Sequence, residues 1–266
     1  MGANQSDAAA RVGIKTVPFC GLPVALLDYA LAVELIHRWA GAGDAAYAVA
    51  AANAHVVSLS QHEPEYRKAI DRFDLICPDG MPLVWAVNHR VPEEDRLKGR
   101  VYGPSLMLRS LESSADTGIR HFFLGGMEST LEKLERRFGN DCPRARIVGS
   151  YSPPFGEWPE DEFDRIADKI RRSRANMIWG GLGCPKQEKW IGSHKNKLPP
   201  GVYLGVGAAF AFHAGEVKQA PAWMQRIGME WFYRLLKEPR RLFRRYLVNN
   251  CLFIRYWLSD TIRHND

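Results

Sequence analysis

The feature that most constrains this fold is an alternation of short apolar segments with longer segments of helical periodicity. Six apolar segments are predicted strands: Tyr47–Ala52, Leu75–Cys77, His121–Leu124, Arg146–Val148, Met177–Trp179 and Val202–Val206. Seven helices are predicted around them: Asp28–Ala40, Glu63–Asp71, Gly80–Val87, Ser105–Ser114, Ser129–Phe138, Glu160–Arg172 and Pro185–Ser193. Strands and helices in alternation form βαβ units. The sequence therefore predicts an α/β fold, with a mostly parallel sheet and helices on both faces.

Composition excludes several other classes of protein. The chain has 266 residues, of which 46% are hydrophobic and 25% charged, and this balance argues against a disordered chain, a collagen or a coiled-coil rod. Its longest apolar stretches are shorter than the ~18 residues of a transmembrane helix. The five cysteines are widely spaced and form no CxxC pair, so we expect reduced thiols in a cytoplasmic protein.

Positive charge is concentrated near the C-terminus. The net charge of the chain is +6. The segment from Arg226 onward contains nine Lys or Arg and four acidic residues, which gives it a net charge of +5. Its apolar residues Trp231, Leu235, Leu242 and Tyr246 recur at helical spacing, which is typical of a basic helix lying on a membrane surface. A charged helix packed on the core is the alternative. We therefore predict three parts: a disordered end over 1–15, a catalytic domain over 16–225 and a helical appendage over 226–266.

Polar residues and glycines follow the predicted strands. Asn53 and Asp79 follow the first two strands, while Gly125, Gly183 and Gly207 lie where later strands end. Because glycine lets the backbone approach a ligand and helix N-termini favour anions, these loops predict a crevice for a nucleotide or sugar phosphate. No full G-x-G-x-x-G follows the first strand and no P-loop motif occurs, which argues against a standard dinucleotide-binding fold.

Several of these residues have both a chemical and a structural interpretation. Asp79 either caps a helix or acts as a general base toward a sugar hydroxyl. Asn53 either binds a sugar or forms an Asx turn. Lys186 is placed to bind a phosphate, and Gln187 and Glu188 either bind the substrate or only begin a helix. The sequence contains no D-x-D, no H-E-x-x-H and no Cys/His cluster, so neither a metal nor another cofactor is predicted. We therefore expect Arg and Lys side chains to bind the negatively charged phosphates.

Together these motifs resemble the WecG/TagA/CpsF family of bacterial glycosyltransferases. The similarity runs from about Asn53 to Tyr246 and is carried by FDLICPDGMPLVWA, RVYGPSLM, FFLGG, GLGCPKQEKWI, GVGAAFAFHAG and APAWMQRIGMEWFYRLLKEPRRLFRRY. The resemblance implies a Rossmann-like core with a helical appendage. It also implies an inverting, metal-independent transfer from a nucleotide sugar, usually UDP-linked, to a polyprenyl-diphosphate-linked saccharide at the inner membrane face.

The resemblance also implies roles for individual residues. Asp79 matches the family's proposed base, Arg100 an active-site arginine, and Gln187 a glutamine that contacts the nucleotide sugar. The arginines that would meet the diphosphates at the membrane are Arg234, Arg241 and Arg244. Self-association is expected, and nucleic acid is not an expected partner.

Three positions depart from the family pattern. Ala51 stands where a threonine is usual, and Ser105 and Ala211 stand where aspartate is common. Because a buried polar contact contributes about 1–3 kcal/mol, these losses argue against N-acetylmannosamine or its acid as the donor sugar and leave other sugars open. Two alternative functions are a nucleotide-cofactor oxidoreductase and a module that binds membranes or nucleic acid without catalysis.

Overall fold

The computed structural model describes residues 13–265, apart from the side chains of Arg241, Arg245 and residues 263–265. The end predicted to be disordered, residues 1–15, lies outside the described residues except for its last three. No helix in the described part of the chain is both long enough and apolar enough to cross a bilayer.

Eight strands are described. They are β1 (Thr16–Phe19), β2 (Leu22–Ala25), β3 (Ala46–Ala52), β4 (Leu75–Pro78), β5 (Arg120–Leu124), β6 (Arg146–Tyr151), β7 (Met177–Gly180) and β8 (Gly201–Gly205).

Twelve α-helices are described. They are α1 (Tyr29–Ala42), α2 (Ala54–His62), α3 (Pro64–Ile70), α4 (Met81–Asn88), α5 (Gly103–Ser113), α6 (Glu128–Asp141), α7 (Glu162–Ser173), α8 (Lys186–His194), α9 (Ala209–His213), α10 (Ala222–Arg226), α11 (Glu230–Lys237) and α12 (Pro239–Asn265). Short 3₁₀ helices lie at Glu93–Asp95 and Lys195–Lys197.

The chain divides into two compact units. The three-stranded unit consists of the described residues within Met1–Asp28, Ala51–Tyr102 and Lys218–Asp266. The five-stranded unit consists of Tyr29–Ala50 and Gly103–Val217. The predicted appendage therefore falls in the same unit as Asn53, Asp79 and Arg100, whereas the predicted glycine loops fall in the other unit.

A hairpin begins the three-stranded unit. β1 pairs antiparallel with β2, from Thr16 opposite Ala25 to Phe19 opposite Leu22, and β2 pairs parallel with β4. The turn residues Cys20 and Gly21 have φ values of 48° and 72°, as a two-residue hairpin turn with matching twist requires.

The long helix α12 is held at several points in this unit. It packs against α2, and the ring of Phe253 lies 5.8 Å from that of Phe19. Near its end, Asp260 forms a largely buried ion pair of 2.6 Å with Arg90 and accepts a hydrogen bond from the Cys20 N–H. One face of α12 is therefore a structural part of the unit.

The five-stranded unit contains only parallel pairs. β3 pairs with β8 over Ala46–Ala50, β8 with β7, β7 with β5, and β5 with β6. Its core includes the fully buried Phe123, Trp179 and Tyr203. Right-handed βαβ connections place the loops that follow these strands at one edge of a parallel sheet.

The predicted mostly parallel α/β class is confirmed. All six predicted strands and all seven predicted helices are present, with ends shifted by zero to three residues. The β1–β2 hairpin and helices α2, α9 and α10 were not predicted.

Candidate functional site

A cavity of about 140 Å³ lies within the three-stranded unit. We call it the Asp79 cavity. It is lined by residues from the end of β4, the starts of α2 and α4, and the C-terminal segment, among them Asn53, His55, Asp79, Arg100, Tyr102, Glu230, Trp231, Arg234, Tyr246 and Asn249. The cavity therefore brings together four of the predicted site residues: Asn53, Asp79, Arg100 and Arg234.

Asp79 is half-buried directly after β4. Its N–H donates to the carbonyl of Ala52 at 2.7 Å, which fixes the backbone of Asp79 beside Asn53. Gly80 holds the N-cap position of α4, so Asp79 lies one residue before the cap position that sequence analysis considered for it. The carboxylate lines the cavity instead.

Asn53 has a local structural role, and its predicted contact with a sugar stays a prediction. It is the N-cap of α2, and its Oδ1 accepts hydrogen bonds from the N–H groups of His55 at 3.0 Å and Val56 at 3.4 Å. Because the cap fixes the oxygen, Nδ2 faces the other way and donates to Asp79 Oδ2 at 3.3 Å. The cap therefore orients an amide donor against the carboxylate.

Arg100 lies at the centre of a buried polar cluster. Its Nη2 donates to Glu230 Oε2 at 2.7 Å and to Gln225 Oε1 at 2.9 Å. The Tyr102 hydroxyl donates to Glu230 Oε1 at 2.5 Å, and the Tyr102 ring lies 4.0 Å from the Arg100 guanidinium. We call Tyr102, Gln225 and Glu230 the arginine clamp.

Protonation in this cluster follows from burial and charge. Burial opposes the charge on Arg100, but the carboxylates of Glu230 and Asp79 outweigh it, so the pKa of Arg100 lies above its ordinary value. Burial, followed by the charge of Glu230, raises the pKa of Tyr102 well above its usual range. Burial, with a contribution from Asp79, raises the pKa of Cys77 to about 12. Tyr102 and Cys77 are therefore neutral at physiological pH.

The C-terminal helices complete the wall of the cavity. Trp231 and Arg234 come from α11, and Tyr246, Asn249 and Asn250 come from α12. Arg244 is exposed and is not one of the lining residues in the described part of the chain. Arg241 belongs to α12, but its side chain lies outside the described residues, so its predicted role stays a prediction.

In the five-stranded unit, Gln187 joins two glycine loops. Gln187 is buried, and its Oε1 accepts from the N–H groups of Gly183 and Gly207, both at 3.1 Å. Its Nε2 donates to Glu188 Oε1 at 2.8 Å. A side chain at Gly205 would come within 2.8 Å of Nε2, so the amide of Gln187 would have to move to accommodate it. The amide of Gln187 therefore holds the loops after β7 and β8 together, and its predicted contact with a nucleotide sugar stays a prediction.

Two other predicted binding residues lie in the same unit. Lys186 donates to the Gly156 carbonyl at 3.0 Å and lies 4.2 Å from the Trp158 ring. Burial lowers the pKa of Lys186. Gly125 follows β5 with φ +105°, and a Cβ there would lie 2.9 Å from the Gly181 carbonyl carbon, so the loops after β5 and β7 approach too closely for any other residue. None of these contacts assigns a ligand.

Among the described side chains, no group of three or more His, Cys, Asp or Glu is arranged to hold a metal ion. The three residues of the arginine clamp, Tyr102, Gln225 and Glu230, were not predicted as site residues from the sequence. The hydrogen bonds among these residues and Arg100 join positions that are 125 to 130 residues apart in the chain. The one local signal was an acid, Glu230, at the start of a helix that has three aromatic and two basic residues.

Comparison with known proteins gives consistent similarities. The model of the glycosyl transferase WecG/TagA/CpsF family matches residues 17–266. A Bacillus subtilis protein named N-acetylglucosaminyldiphosphoundecaprenol N-acetyl-beta-D-mannosaminyltransferase is 28% identical over 195 residues, covering 73% of this chain and 72% of that protein. A Bacillus spizizenii protein of the same name is 31% identical over 193 residues, again covering 73% and 72%. The family match extends through the C-terminal helices that line the Asp79 cavity.

Proposed function

Since the chain belongs to the WecG/TagA/CpsF family of glycosyl transferases, we propose that it moves a sugar from a nucleotide sugar, of the UDP class, to a saccharide linked to a polyprenyl diphosphate. Glycosyl transfer is the activity of the family and of both curated relatives. The relatives are named for an acceptor on diphosphoundecaprenol, which supports a lipid-linked acceptor here. The product would enter the biosynthesis of a cell-surface polysaccharide or exopolysaccharide.

The observation that carries the mechanism is the carboxylate of Asp79 in a cavity that also contains Arg100. A base is needed to take the proton from the acceptor hydroxyl as its oxygen attacks the anomeric carbon. Attack from the side opposite the leaving group inverts the configuration of that carbon. Glu230 is already engaged by Arg100 and Tyr102, while Cys77 and Tyr102 are neutral and too weakly acidic to serve. The resemblance and the position of the carboxylate in the cavity assign Asp79 as the base in this proposal.

The departing nucleotide diphosphate needs positive charge. Arg100 and Arg234 line the cavity, and guanidinium groups bind phosphate oxygens in pairs. The proposal assigns them, with Arg241 and Arg244 by resemblance, to the phosphates in place of a metal ion. Because no metal ion is needed in this proposal, we expect the same transfer activity with EDTA as without it.

The donor sugar is left open. Both relatives are named as N-acetylmannosaminyltransferases, but Ala51, Ser105 and Ala211 provide no carboxylate, and only Ser105 has a hydroxyl. At 28–31% identity, a change of donor fits these differences. We therefore propose the acceptor class and leave the sugar to experiment.

A transfer assay tests the proposal. The full chain is incubated with N-acetylglucosamine linked to a short polyprenyl diphosphate and with each of a panel of UDP-sugars, and the products are resolved by mass spectrometry. One UDP-sugar is expected to extend the acceptor, with an anomeric configuration opposite to that of the donor by NMR. No product from any donor, together with no thermal stabilisation by UDP or a UDP-sugar, would remove the proposed function.

The C-terminal segment is proposed to lie on an anionic membrane surface. On α12, Phe243, Leu247, Val248, Ile254, Leu258 and Ile262 are all at least 45% exposed. Leu247, Ile254 and Leu258 are spaced by seven and four residues and therefore share a face. Arg240, Arg244 and Arg255 on the same helix are also exposed. Exposed apolar residues with a segment charge of +5 fit the interface of a membrane with anionic lipids.

Replacing Leu247 and Leu258 with glutamate is expected to weaken binding to vesicles containing phosphatidylglycerol by about tenfold or more, since apolar area is lost and negative charge is added. Both side chains are over half exposed, and glutamate is a good helix former, so the fold should be kept. Phe155→Glu, at a residue that is 98% exposed, is the matched control. Vesicle sedimentation equal for the three proteins would contradict membrane contact through α12.

A further inference from the structure

The hydrogen bonds of Arg100 are divided unevenly over its guanidinium. Nη2 has two N–H groups and two acceptors, Glu230 Oε2 and Gln225 Oε1. Gln225 is itself oriented, since its Nε2 donates to the Ala220 carbonyl at 2.8 Å. Nη1 and Nε have no hydrogen bond to the described part of the chain. Three N–H groups of a cavity-lining arginine thus remain for a ligand.

The other carboxylate oxygen of Glu230 is used as well. Oε1 accepts from the Tyr102 hydroxyl, and the Tyr102 ring lies along the guanidinium. The side chains of Arg100 and Glu230 are only 13% and 11% exposed. A buried ion pair with both carboxylate oxygens bonded has one geometry, and its members are strongly coupled. The arginine clamp therefore fixes where Arg100 points.

We infer that Glu230 is a positioning residue for the transfer reaction: it holds Arg100 by Nη2 so that the two N–H groups of Nη1 are presented to the leaving diphosphate. This inference rests on the proposed function, which assigns Arg100 to the leaving group. A guanidinium held in advance in the geometry of the transition state loses little entropy on reaction. The C-terminal segment thereby supplies an acid that orients a cation, in addition to its arginines.

Glu230 also affects the electrostatic potential at the Asp79 carboxylate. Within the described part of the chain, the titratable or charged groups that line this cavity or lie next to Asp79 are His55, Cys77, Arg100, Tyr102, Glu230, Arg234 and Tyr246. Glu230 offsets part of the positive charge of Arg100. Without that offset, the guanidinium disfavours a proton on Asp79 more strongly. The base then stays ionised to a lower pH, and the acid limb of the pH–rate profile moves down.

The test is a double-mutant cycle between Glu230→Gln and Arg100→Lys. Glu230→Gln is expected to lower kcat by about 10–100-fold with a donor KM within about threefold, and to move the acid limb of kcat/KM to lower pH. Arg100→Lys is expected to lower kcat by about 10²–10³-fold. Because Glu230 acts through Arg100, the double variant should be no slower than Arg100→Lys alone.

Glu216→Gln is the matched control. Glu216 is also an ion-paired carboxylate, bonded to Lys133 and Thr130 in the five-stranded unit, and its loss should leave kcat and the pH profile unchanged. The inference is overturned if the kcat losses of Glu230→Gln and Arg100→Lys multiply, or if Glu230→Gln keeps the wild-type kcat and pH profile. A purely structural role would lower the folded fraction without moving the pH profile.

A readout without substrate separates this inference from the proposed function. NMR of the arginine side chains should show a guanidinium signal in slow rotation that Arg100→Lys removes. That signal should also be lost or averaged in Glu230→Gln and kept in Glu216→Gln. If the wild type transferred no sugar, the proposed function would fail, and persistence of this signal in Glu230→Gln would separately overturn the clamp.

Discussion

Asp79→Asn is expected to lower turnover by about 10²–10⁴-fold, the usual contribution of a general base. The carboxamide matches the carboxylate in size but cannot take the proton from the acceptor hydroxyl. Asp79 follows a buried strand and faces a cavity with Arg100 and Arg234, so the change should affect chemistry more than donor binding. Steady-state kinetics with the lipid-linked acceptor, together with the affinity for UDP measured by calorimetry, would show kcat falling while the affinity changes by less than about threefold.

Asp95→Asn is the matched control for this prediction. Asp95 lies in the same unit and bonds Lys15 at 2.6 Å on the surface. Its replacement should leave kcat unchanged. Turnover of Asp79→Asn within about threefold of the wild type would remove Asp79 from the mechanism, and a loss of UDP binding equal to the loss of kcat would make it a binding residue.

His121 is expected to make the protein sensitive to acid. Its Nδ1 accepts from Trp179 Nε1 at 3.1 Å, and its Nε2 lies 2.9 Å from Ser114 Oγ, which donates to the Leu111 carbonyl at 2.8 Å. Trp179 can only donate, so Nδ1 has no proton and the ring is neutral. A second proton would break that bond. Burial also disfavours the charged ring and lowers the pKa of His121 to about 3.

The sign of the effect follows from linkage. Below the ordinary histidine pKa of about 6.5, the unfolded chain binds a proton that the folded chain does not, so stability falls as pH decreases from about 6.5 toward 3. The slope from this one group approaches roughly 1.4 kcal/mol per pH unit. Over this range the loss is therefore several kcal/mol, which is a large part of the stability of a typical domain.

His121→Asn should separate this group from other acid-sensitive groups. The variant is expected to be less stable than the wild type at pH 7.5 by about 1–3 kcal/mol, but to lose less stability between pH 6.5 and 4.5. Urea unfolding across this range measures both effects. Exposed His62 gives the control His62→Asn, which should follow the wild type. A wild-type slope in His121→Asn would show that His121 is not the acid-sensitive group.

Local patterns predicted most of the fold. The parallel strands and their helices were recognisable because each has its own apolar periodicity. The β1–β2 hairpin was missed because its strands have four residues each and each contains a proline, Pro18 or Pro23, which usually counts against a strand. Helix α2 was missed because its Val-rich start resembles a strand, although Asn53 was a valid N-cap signal.

The candidate site was predicted only in part, because local signals revealed some of its residues and contacts between distant segments hold the others. Asp79 and Asn53 follow strands, so sheet topology alone placed them at one edge. Arg100 and Arg234 were found by resemblance. The contacts of Glu230 and Gln225 with Arg100 join segments more than 120 residues apart, and no periodicity or motif in one chain encodes such a pairing.

The way the three-stranded unit is assembled from the chain has a consequence for synthesis on the ribosome. The five-stranded unit is fully synthesised once Val217 has been added, but the Asp79 cavity needs residues as late as Asn250. Until α12 emerges, the surface of α2 that it covers has no partner. At roughly 5–20 residues per second, this nascent intermediate lasts for seconds, and we expect it to be the stage at which the growing polypeptide most needs a chaperone.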